Sequence, residues 1–226
     1  MPIGPIDLVT VSREFGSGGS EFAHALGERL DWPVLDRTLV YQVAERLELD
    51  ARVVERLDEH PPTRLSRLAA ALFVLPPELP STYVAPREQL GPDDVAHAVQ
   101  EVIAEAVRTP PLVVVGHGAQ CAFHQRPGAL HVRLVAPIED RVRRLAPRLG
   151  CDAARATTEA RRMDEERARY IQRYHHRDWR DPLLYDLEFN TGRIAVDEAA
   201  EFVAAVVRGR ATAQGTPQGT RAAAVQ

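Results

Sequence analysis

The chain has 226 residues, of which 45% are hydrophobic and 27% charged, and this composition suits one globular domain with a sizeable core. No apolar run reaches the roughly 18–20 residues that span a bilayer, and we expect no secretory signal at the N-terminus. The two cysteines, Cys121 and Cys151, are too few for a disulfide framework, so we expect ordinary thiols and a cytoplasmic protein. The net charge of -4 excludes a general attraction to nucleic acid or acidic membranes.

All 28 basic residues are arginine, and the chain contains no lysine. Any anion site must therefore use guanidinium groups, backbone N–H groups or histidine, and lysine chemistry such as a Schiff base is excluded. Genomic base composition is one explanation for the arginine bias, but the distribution is uneven. Residues 133–180 hold 13 arginines against 8 acidic residues. This segment is a candidate anion-binding wall.

Strand and helix patterns alternate along the chain, which predicts an α/β fold with a parallel sheet covered on both faces. The predicted strands are residues 6–11, 33–35, 112–115, 129–135 and 184–189. The predicted helices are residues 20–30, 38–47, 50–57, 92–107, 138–149, 152–174 and 196–207. The stretch 61–92 is rich in proline and irregular, and the tail 209–226 has a composition typical of disorder. Parallel sheets bind ligands beyond the C-terminal ends of their strands, so the segments that follow the predicted strands are the place to look.

A glycine-rich loop joins the first predicted strand to the first helix. It contains Gly16, Gly18 and Gly19, and such a loop lets the backbone approach a phosphate at a helix N-terminus. The alternative is a tight turn without a ligand. Aligned with G-x-x-x-x-G-K-[ST], the loop has Arg13 at the first glycine, Gly19 at the lysine and Ser20 at the hydroxyl position, so the strict P-loop pattern fails. Arg13 or a distant arginine must replace the missing cation.

Several motifs in order along the chain resemble the cytidylate kinase-like family of P-loop proteins. The resemblance is carried by residues 9–19 (VTVSREFGSGG), 36–37 (DR), 113–118 (VVVGHG), 136–141 (APIEDR), 163–170 (MDEERARY) and 181–191 (DPLLYDLEFNT). It implies a three-layer P-loop kinase fold over residues 1–208, with a five-stranded parallel sheet and helices on both faces. It also implies an inserted acceptor-binding region at 61–92 and an arginine-rich lid at 152–180.

The resemblance implies ATP and Mg²⁺ as cofactors and nucleotides as partners, and it assigns roles by position. The ATP phosphates would lie on Arg13, Gly16, Ser17, Gly18, Gly19 and Ser20, with Ser20 also beside Mg²⁺. The acceptor would contact Asp36, Arg37 and His117, where relatives usually have arginine at the position of His117. Arg162, Arg167 and Arg169 would be the catalytic arginines of the lid. As an alternative, Asp36 is simply a helix N-cap.

Helical spacing predicts which side of the lid helix faces inward. The stripe consists of Ala153, Ala156, Ala160, Met163, Tyr170 and Tyr174. Arg167 falls on this stripe and needs an anion or carboxylate partner, because an unpaired buried charge is costly. Arg162 and Arg169 share an adjacent face, where the alternative interpretation is a solvated surface with ion pairs such as Arg162–Glu166.

Three functions are compatible with these features. The first is an ATP-dependent nucleoside monophosphate kinase that acts on CMP or dCMP, and the second is a non-catalytic nucleotide- or phosphate-binding regulator on the same fold. The third is a kinase for another small acceptor. A nucleic-acid role is disfavoured because aromatic residues are sparse in the basic segment. A metal site at His175 and His176 is disfavoured because adjacent helical side chains point apart.

Overall fold

The computed structural model describes residues 4–36, 100, 103, 104 and 106–212. Five strands form one parallel sheet in the order β2-β3-β1-β4-β5. The strands are β1 (Leu8–Arg13), β2 (Val34–Leu35), β3 (Leu112–Val115), β4 (Ala129–Val135) and β5 (Leu187–Asn190). The predicted five-stranded α/β fold is thus confirmed. All four residues of β3 are buried, which explains why this strand is an uninterrupted apolar run.

Helices cover both faces of this sheet. They are α1 (Gly19–Leu30), α2 (Ala119–Ala122), α3 (Ile138–Leu149), α4 (Ala153–His175) and α5 (Val196–Thr212), with a 3-10 turn at Pro182–Leu184. Asp152 caps the start of α4 by accepting a hydrogen bond from the amide of Arg155, and Gly150 ends α3 in the left-handed conformation. The four-residue helix α2 is an addition to the predicted elements.

Alternate residues of β1 point into two different cores. Val9 and Val11 pack with Phe22 and Leu26 of α1 and with residues of α5. On the opposite face of the sheet, Leu8 packs with β3 and with apolar residues that precede β3 in the chain. A third, small cluster joins α3 to α4 through side chains that include Leu145, Ala156 and Ala160. The long helix α4 is therefore packed against α3 beside the sheet.

Several boundaries differ from the sequence-based prediction. β1 continues to Arg13, so the glycine loop begins directly after the strand. β5 begins at Leu187 because the residues before it form the 3-10 turn, which Asp181 caps. α5 continues to Thr212, four residues into the segment predicted to be disordered, because alanine and arginine favour helix there. The predicted helices at 38–47 and 50–57 and the insertion at 61–92 lie outside the described residues.

Candidate active site

The glycine loop is closely packed between the helices that follow it in the chain. Gly16 and Gly18 both have φ of 86°, in the region that only glycine adopts at low cost. A Cβ on Gly16 would lie 2.8 Å from Leu145 of α3, and a Cβ on Gly18 would lie 2.6 Å from Val196 of α5. The loop therefore needs glycine at both positions for conformation and for space. Its last glycine, Gly19, opens α1, whose first amides point towards the loop.

Buried hydrogen bonds hold the loop from below. The Ser17 hydroxyl is fully buried and bonds to the carbonyls of Glu14 (2.9 Å) and Leu134 (3.1 Å). The Thr191 hydroxyl donates to the Ser17 carbonyl (2.7 Å), and Arg144 donates to the Thr191 carbonyl (2.7 Å). The side chain of Ser17 thus fixes the loop, and only its backbone remains for the phosphate role predicted from sequence. A preorganised loop of this kind binds an anion without reorganisation.

Ser20 differs from Ser17 in its surroundings. It lies in the first turn of α1 and is exposed. An exposed hydroxyl at a helix N-terminus fits the place of a Mg²⁺ ligand, because Mg²⁺ is held by few protein oxygens together with substrate phosphates. Across the described part of the chain, no three His, Cys, Asp or Glu side chains form a metal cluster.

Arg13 lies across the loop. A Cβ on Gly19 would lie 2.6 Å from the Cβ of Arg13, and a Cβ on Gly116 would lie 3.2 Å from its Cζ. The aliphatic stem thus covers the start of α1, and the guanidinium reaches the end of β3. This position places a permanent positive charge between the glycine loop and the segment that follows β3.

Three successive residues after β3 have left-handed backbones, with φ of 79° at Gly116, 56° at His117 and 73° at Gly118. Two glycines adopt this conformation at little cost, whereas His117 is strained. The carbonyl of His117 accepts a hydrogen bond from Gln100 (2.5 Å). Strain held by the surrounding structure is typical of functional sites.

A cavity of about 240 Å³ lies between the ends of β1 and β3 and the inner face of α4. Its lining includes the arginines Arg13 and Arg167, the carboxylate Glu166 and the imidazole His117. The remaining lining residues are Ser12, Gly116, Gly118, Gln120, Met163, Tyr170, Ile171 and Trp179. Two guanidinium groups against one carboxylate favour an anionic ligand.

The inner face of α4 is fixed to the glycine loop by a buried ion pair that sequence patterns did not predict. Asp164 accepts a hydrogen bond from the amide of Phe15 (2.7 Å) and pairs with Arg141 of α3 (2.5 Å). Arg167 lies 3.5 Å from Asp164 and donates to the carbonyl of Arg13 (2.9 Å). The expected carboxylate partner of Arg167 is thus present. Asp164 directly follows Met163 of the predicted stripe. A carboxylate beside an apolar stripe, where an exposed residue is not expected, was the sequence signal for this pair.

The predicted stripe on α4 is confirmed at Ala156 and Ala160, is wrong at the exposed Ala153, and is shifted by one residue from Met163 onward. The buried residues are Ala156, Ala160, Asp164 and Ile171, while Met163 and Tyr170 are half-buried and line the cavity. The stripe follows Asp164 because its ion pair with Arg141 draws that side of the helix inward. Burial raises the pKa of the Tyr170 hydroxyl, so this cavity residue is neutral at physiological pH.

Arg162 and Arg169 are not among the residues that line the cavity. Arg162 pairs with Glu159 and Glu166, each at 2.5 Å, on the exposed face. Arg169 is exposed. The structure therefore brings one of the three predicted lid arginines, Arg167, to the cavity.

The remaining predicted acceptor residues lie elsewhere. Asp36 follows β2 and lies 3.3 Å from the Nε2 atom of His24 in α1. Arg37 lies outside the described residues. Of the acceptor set, the structure brings His117 to the cavity.

A second buried polar cluster closes the floor of the cavity. Trp179 donates through Nε1 to the Ser12 hydroxyl (2.9 Å), and Tyr185 donates to the Trp179 carbonyl (2.8 Å). The guanidinium of Arg133 lies 5.1 Å from the centre of the Trp179 ring and 5.3 Å from that of Tyr185. Burial raises the pKa of Tyr185 to about 12, so it acts here as a neutral hydrogen-bonding group. This cluster ties the segment after α4 to β1.

The two cysteines are unpaired and half-buried. Burial raises the pKa of the Cys121 thiol to about 11, which makes it a poor nucleophile. Within the described ranges, no helix has the length and apolar character needed to cross a membrane.

Solved structures of other proteins share this fold, and two of them serve as examples. A crystal structure of an uncharacterized protein from Eubacterium ventriosum has a TM-score of 0.65 and 20% sequence identity, and the alignment covers 89% of this chain and 98% of that chain. Shikimate kinase from Bacteroides thetaiotaomicron has a TM-score of 0.50 and 15% identity, with the same coverage of 89% and 98%. No curated protein matches the sequence.

A sequence-family comparison agrees with the geometry. The model of the cytidylate kinase-like family matches residues 8–193. This range includes the five strands, the glycine loop, the residues that line the cavity and α4. The fold built from these elements is that of P-loop kinases. The chain therefore belongs to the cytidylate kinase-like family.

Proposed function

We propose that this protein transfers the γ-phosphoryl group of ATP to CMP, dCMP or a related small acceptor. The observation that carries the proposal is the position of the cavity. It begins at Arg13, beside the N-terminus of α1, and Arg167 of α4 lines it as well. A phosphoryl donor on the loop and an acceptor in the cavity would meet between two guanidinium groups.

Phosphoryl transfer requires positioning and positive charge more than covalent participation by the protein. The first amides of α1, beginning at Gly19 and Ser20, would bind the donor phosphates, and Ser20 would hold Mg²⁺, which neutralises phosphate charge when bound. Arg167 would contact the transferring group from α4. Its hydrogen bond to the Arg13 carbonyl and its proximity to Asp164 hold it in place before substrate arrives.

The acceptor would enter from the side of His117 and Asp36. His117 is a weaker phosphate partner than arginine, because a neutral imidazole lacks the charge and the paired donors of a guanidinium. The acceptor phosphate would therefore depend on other arginines, with Arg37 as the candidate from sequence. A catalytic role for Arg162 and Arg169 stays a prediction, and their positions outside the cavity lining rank them below Arg167.

A second candidate function is a nucleotide- or phosphate-binding regulator without catalysis. Two observations favour it: the loop lacks a lysine at position 19, and His117 stands after β3. Loss of preorganised transition-state contacts lowers turnover by about 10²–10³-fold per contact in other enzymes. Binding would survive such losses more readily than turnover.

The test is to incubate the purified protein with ATP, Mg²⁺ and, separately, CMP, dCMP, UMP, AMP, GMP and shikimate, and to resolve the products by chromatography. We expect a diphosphate with CMP or dCMP, and the activity should co-elute with the protein in a final size-exclusion step. ATP binding without any product would support the regulator or a kinase for a different acceptor. Absence of both ATP binding and product would refute the kinase.

A further inference from the structure

Arg13 and the side chain of any larger residue at position 19 require the same space. A Cβ on Gly19 would lie 2.6 Å from the Cβ of Arg13 and would also overlap its Cγ. Carbon atoms that are not bonded pack at about 3.5–4.0 Å. The Cβ of Arg13 is fixed by the backbone of β1, so a change of rotamer cannot relieve this contact. In this backbone, a lysine at position 19 and an arginine at position 13 exclude each other.

The charged end of Arg13 lies at the boundary between the loop and the cavity. A Cβ on Gly116 would lie 3.2 Å from the Cζ of Arg13 and would overlap one of its terminal nitrogens. Arg13 also lines the cavity together with Gly116, His117 and Arg167. Glycine at both 19 and 116 thus leaves room for one guanidinium, which extends from the donor loop to the segment after β3.

The neighbouring contacts fix the backbone of Arg13. Residues 8–13 pair with β4 along the whole strand, and the pairing ends at Arg13 opposite Leu134. The carbonyl of Arg13 accepts a hydrogen bond from Arg167 (2.9 Å), and the adjacent Glu14 amide donates to the Leu134 carbonyl (3.0 Å). The direction in which the side chain leaves the strand is therefore determined on both sides of the residue.

We propose that Arg13 is the phosphate-binding cation of this loop and that the positive charge has moved from position 19 to position 13. This inference rests on the proposed function, since it assigns a residue to the donor phosphates. In G-x-x-x-x-G-K-[ST], positions 13 and 19 would hold glycine and lysine, and here they hold arginine and glycine. The exchange preserves one cation and one glycine. A guanidinium offers paired donors to phosphate oxygens, and it remains charged at every physiological pH.

The experiment measures the affinity of Mg-ATP and of tripolyphosphate by calorimetry. The variants are Arg13→Gln, Arg13→Lys, Gly19→Lys and the double exchange Arg13→Gly with Gly19→Lys. Arg143→Gln is the matched control, because it removes the same charge from an exposed position. Arg143 lies on α3, where it pairs with Asp140. Circular dichroism and the melting temperature show which variants fold.

We expect Arg13→Gln to bind both ligands about 10- to 100-fold more weakly, the size of one lost charged hydrogen bond. Arg13→Lys should bind between Arg13→Gln and the unaltered protein, and Arg143→Gln should match the unaltered protein. Gly19→Lys alone should either bind both ligands more weakly or fail to fold, and the double exchange should restore binding. Relief of the overlap explains a restored fold, so the informative result is the restored affinity: a lysine at position 19 that replaces the binding lost in Arg13→Gln has no explanation in a purely structural role.

The inference is overturned if Arg13→Gln folds and binds both ligands as tightly as the unaltered protein. In that case ATP binding by the unaltered protein leaves the proposed function standing. Tripolyphosphate binding that depends on Arg13, without ATP binding, would support the inference and refute the proposed function. Failure of the unaltered protein to bind either ligand would refute both. If the double exchange does not fold, the ranking of Arg13→Gln and Arg13→Lys decides.

Discussion

The two faces of α4 carry the same residue types in opposite surroundings. On the inner face, Arg167 is about one-fifth exposed, donates to the Arg13 carbonyl and lies beside Asp164. On the outer face, Arg162 is about half exposed and pairs with Glu159 and Glu166. The histidines at the end of the helix repeat the contrast, with a buried Nε2 atom on His175 and an exposed His176 in the left-handed cap. Surroundings, rather than residue type, distinguish the half-buried arginine of the cavity lining from the exposed arginine of the ion pairs.

The largest effect should come from the buried ion pair on the inner face. Asp164→Ala leaves Arg141 buried without its closest partner and removes the acceptor of the Phe15 amide. Breaking a buried pair in this way lowers the free energy of unfolding by about 3–5 kcal/mol. Chemical denaturation measures the change. The neighbouring exposed Glu165→Ala should stay within about 0.5 kcal/mol of the unaltered protein, and an equal loss in both variants would contradict the contrast between the faces.

The next effect concerns turnover. Arg167→Ala should lower kcat by about 10²–10³-fold, because it removes a preorganised charge from the cavity wall. The loss should exceed that of Arg162→Ala by at least tenfold, with the exposed Arg161→Ala as a control for charge. Steady-state kinetics on variants with native circular dichroism measures the ranking. Equal losses in Arg162→Ala and Arg167→Ala would mean that both faces of α4 approach the substrate.

The smallest effect is the pH dependence of stability at the end of α4. Burial, with a smaller contribution from His176, lowers the pKa of His175 in the folded protein below its ordinary value of 6.5. As the pH falls below 6.5, the unfolded chain takes up this proton before the folded protein does, so the free energy of unfolding decreases. His175→Gln should reduce that slope between pH 7 and pH 5, and His176→Gln should reduce it less, because His176 makes the smaller contribution. Denaturation curves across this range measure both slopes, and a larger change for His176→Gln would reverse the assignment.

Most of the fold was predictable because its signals are local. The apolar run at 112–115 indicates a buried strand, and the glycines after the first strand indicate a tight loop before a helix. Each pattern lies within a few consecutive residues. The ion pair of Asp164 with Arg141 was not predictable in this way, because its partners come from two helices and it moves the inward stripe by one residue. The overlap of Arg13 with Gly19 has the same character, since a glycine in the sequence does not reveal which neighbour occupies the space of its missing side chain.

The candidate site was predictable where it follows the chain and less so where it depends on side-chain direction. Arg13, the glycine loop and His117 follow β1 and β3, and the parallel sheet brings those strand ends together. Ser17 belongs to the same loop, yet its hydroxyl points into the protein. Arg162 and Arg169 belong to the same helix as Arg167, yet neither is among the residues that line the cavity. The order of strands, loops and helices follows from the sequence, whereas the direction of each side chain depends on packing with distant elements.

The position of β1 has a consequence for how the protein fluctuates. β1 is hydrogen bonded to a strand on each side, whereas β2 has two residues and pairs with β3 alone. Amide protons at the centre of a sheet exchange with solvent through global unfolding, and those at an edge exchange through local opening. The glycine loop is attached to the centre of the sheet, where exchange is expected to be slow, and Asp36 follows the edge, where it is expected to be fast. The part of the candidate site formed by the glycine loop should therefore keep its shape through ordinary fluctuations, while the edge beside it should open locally at low cost.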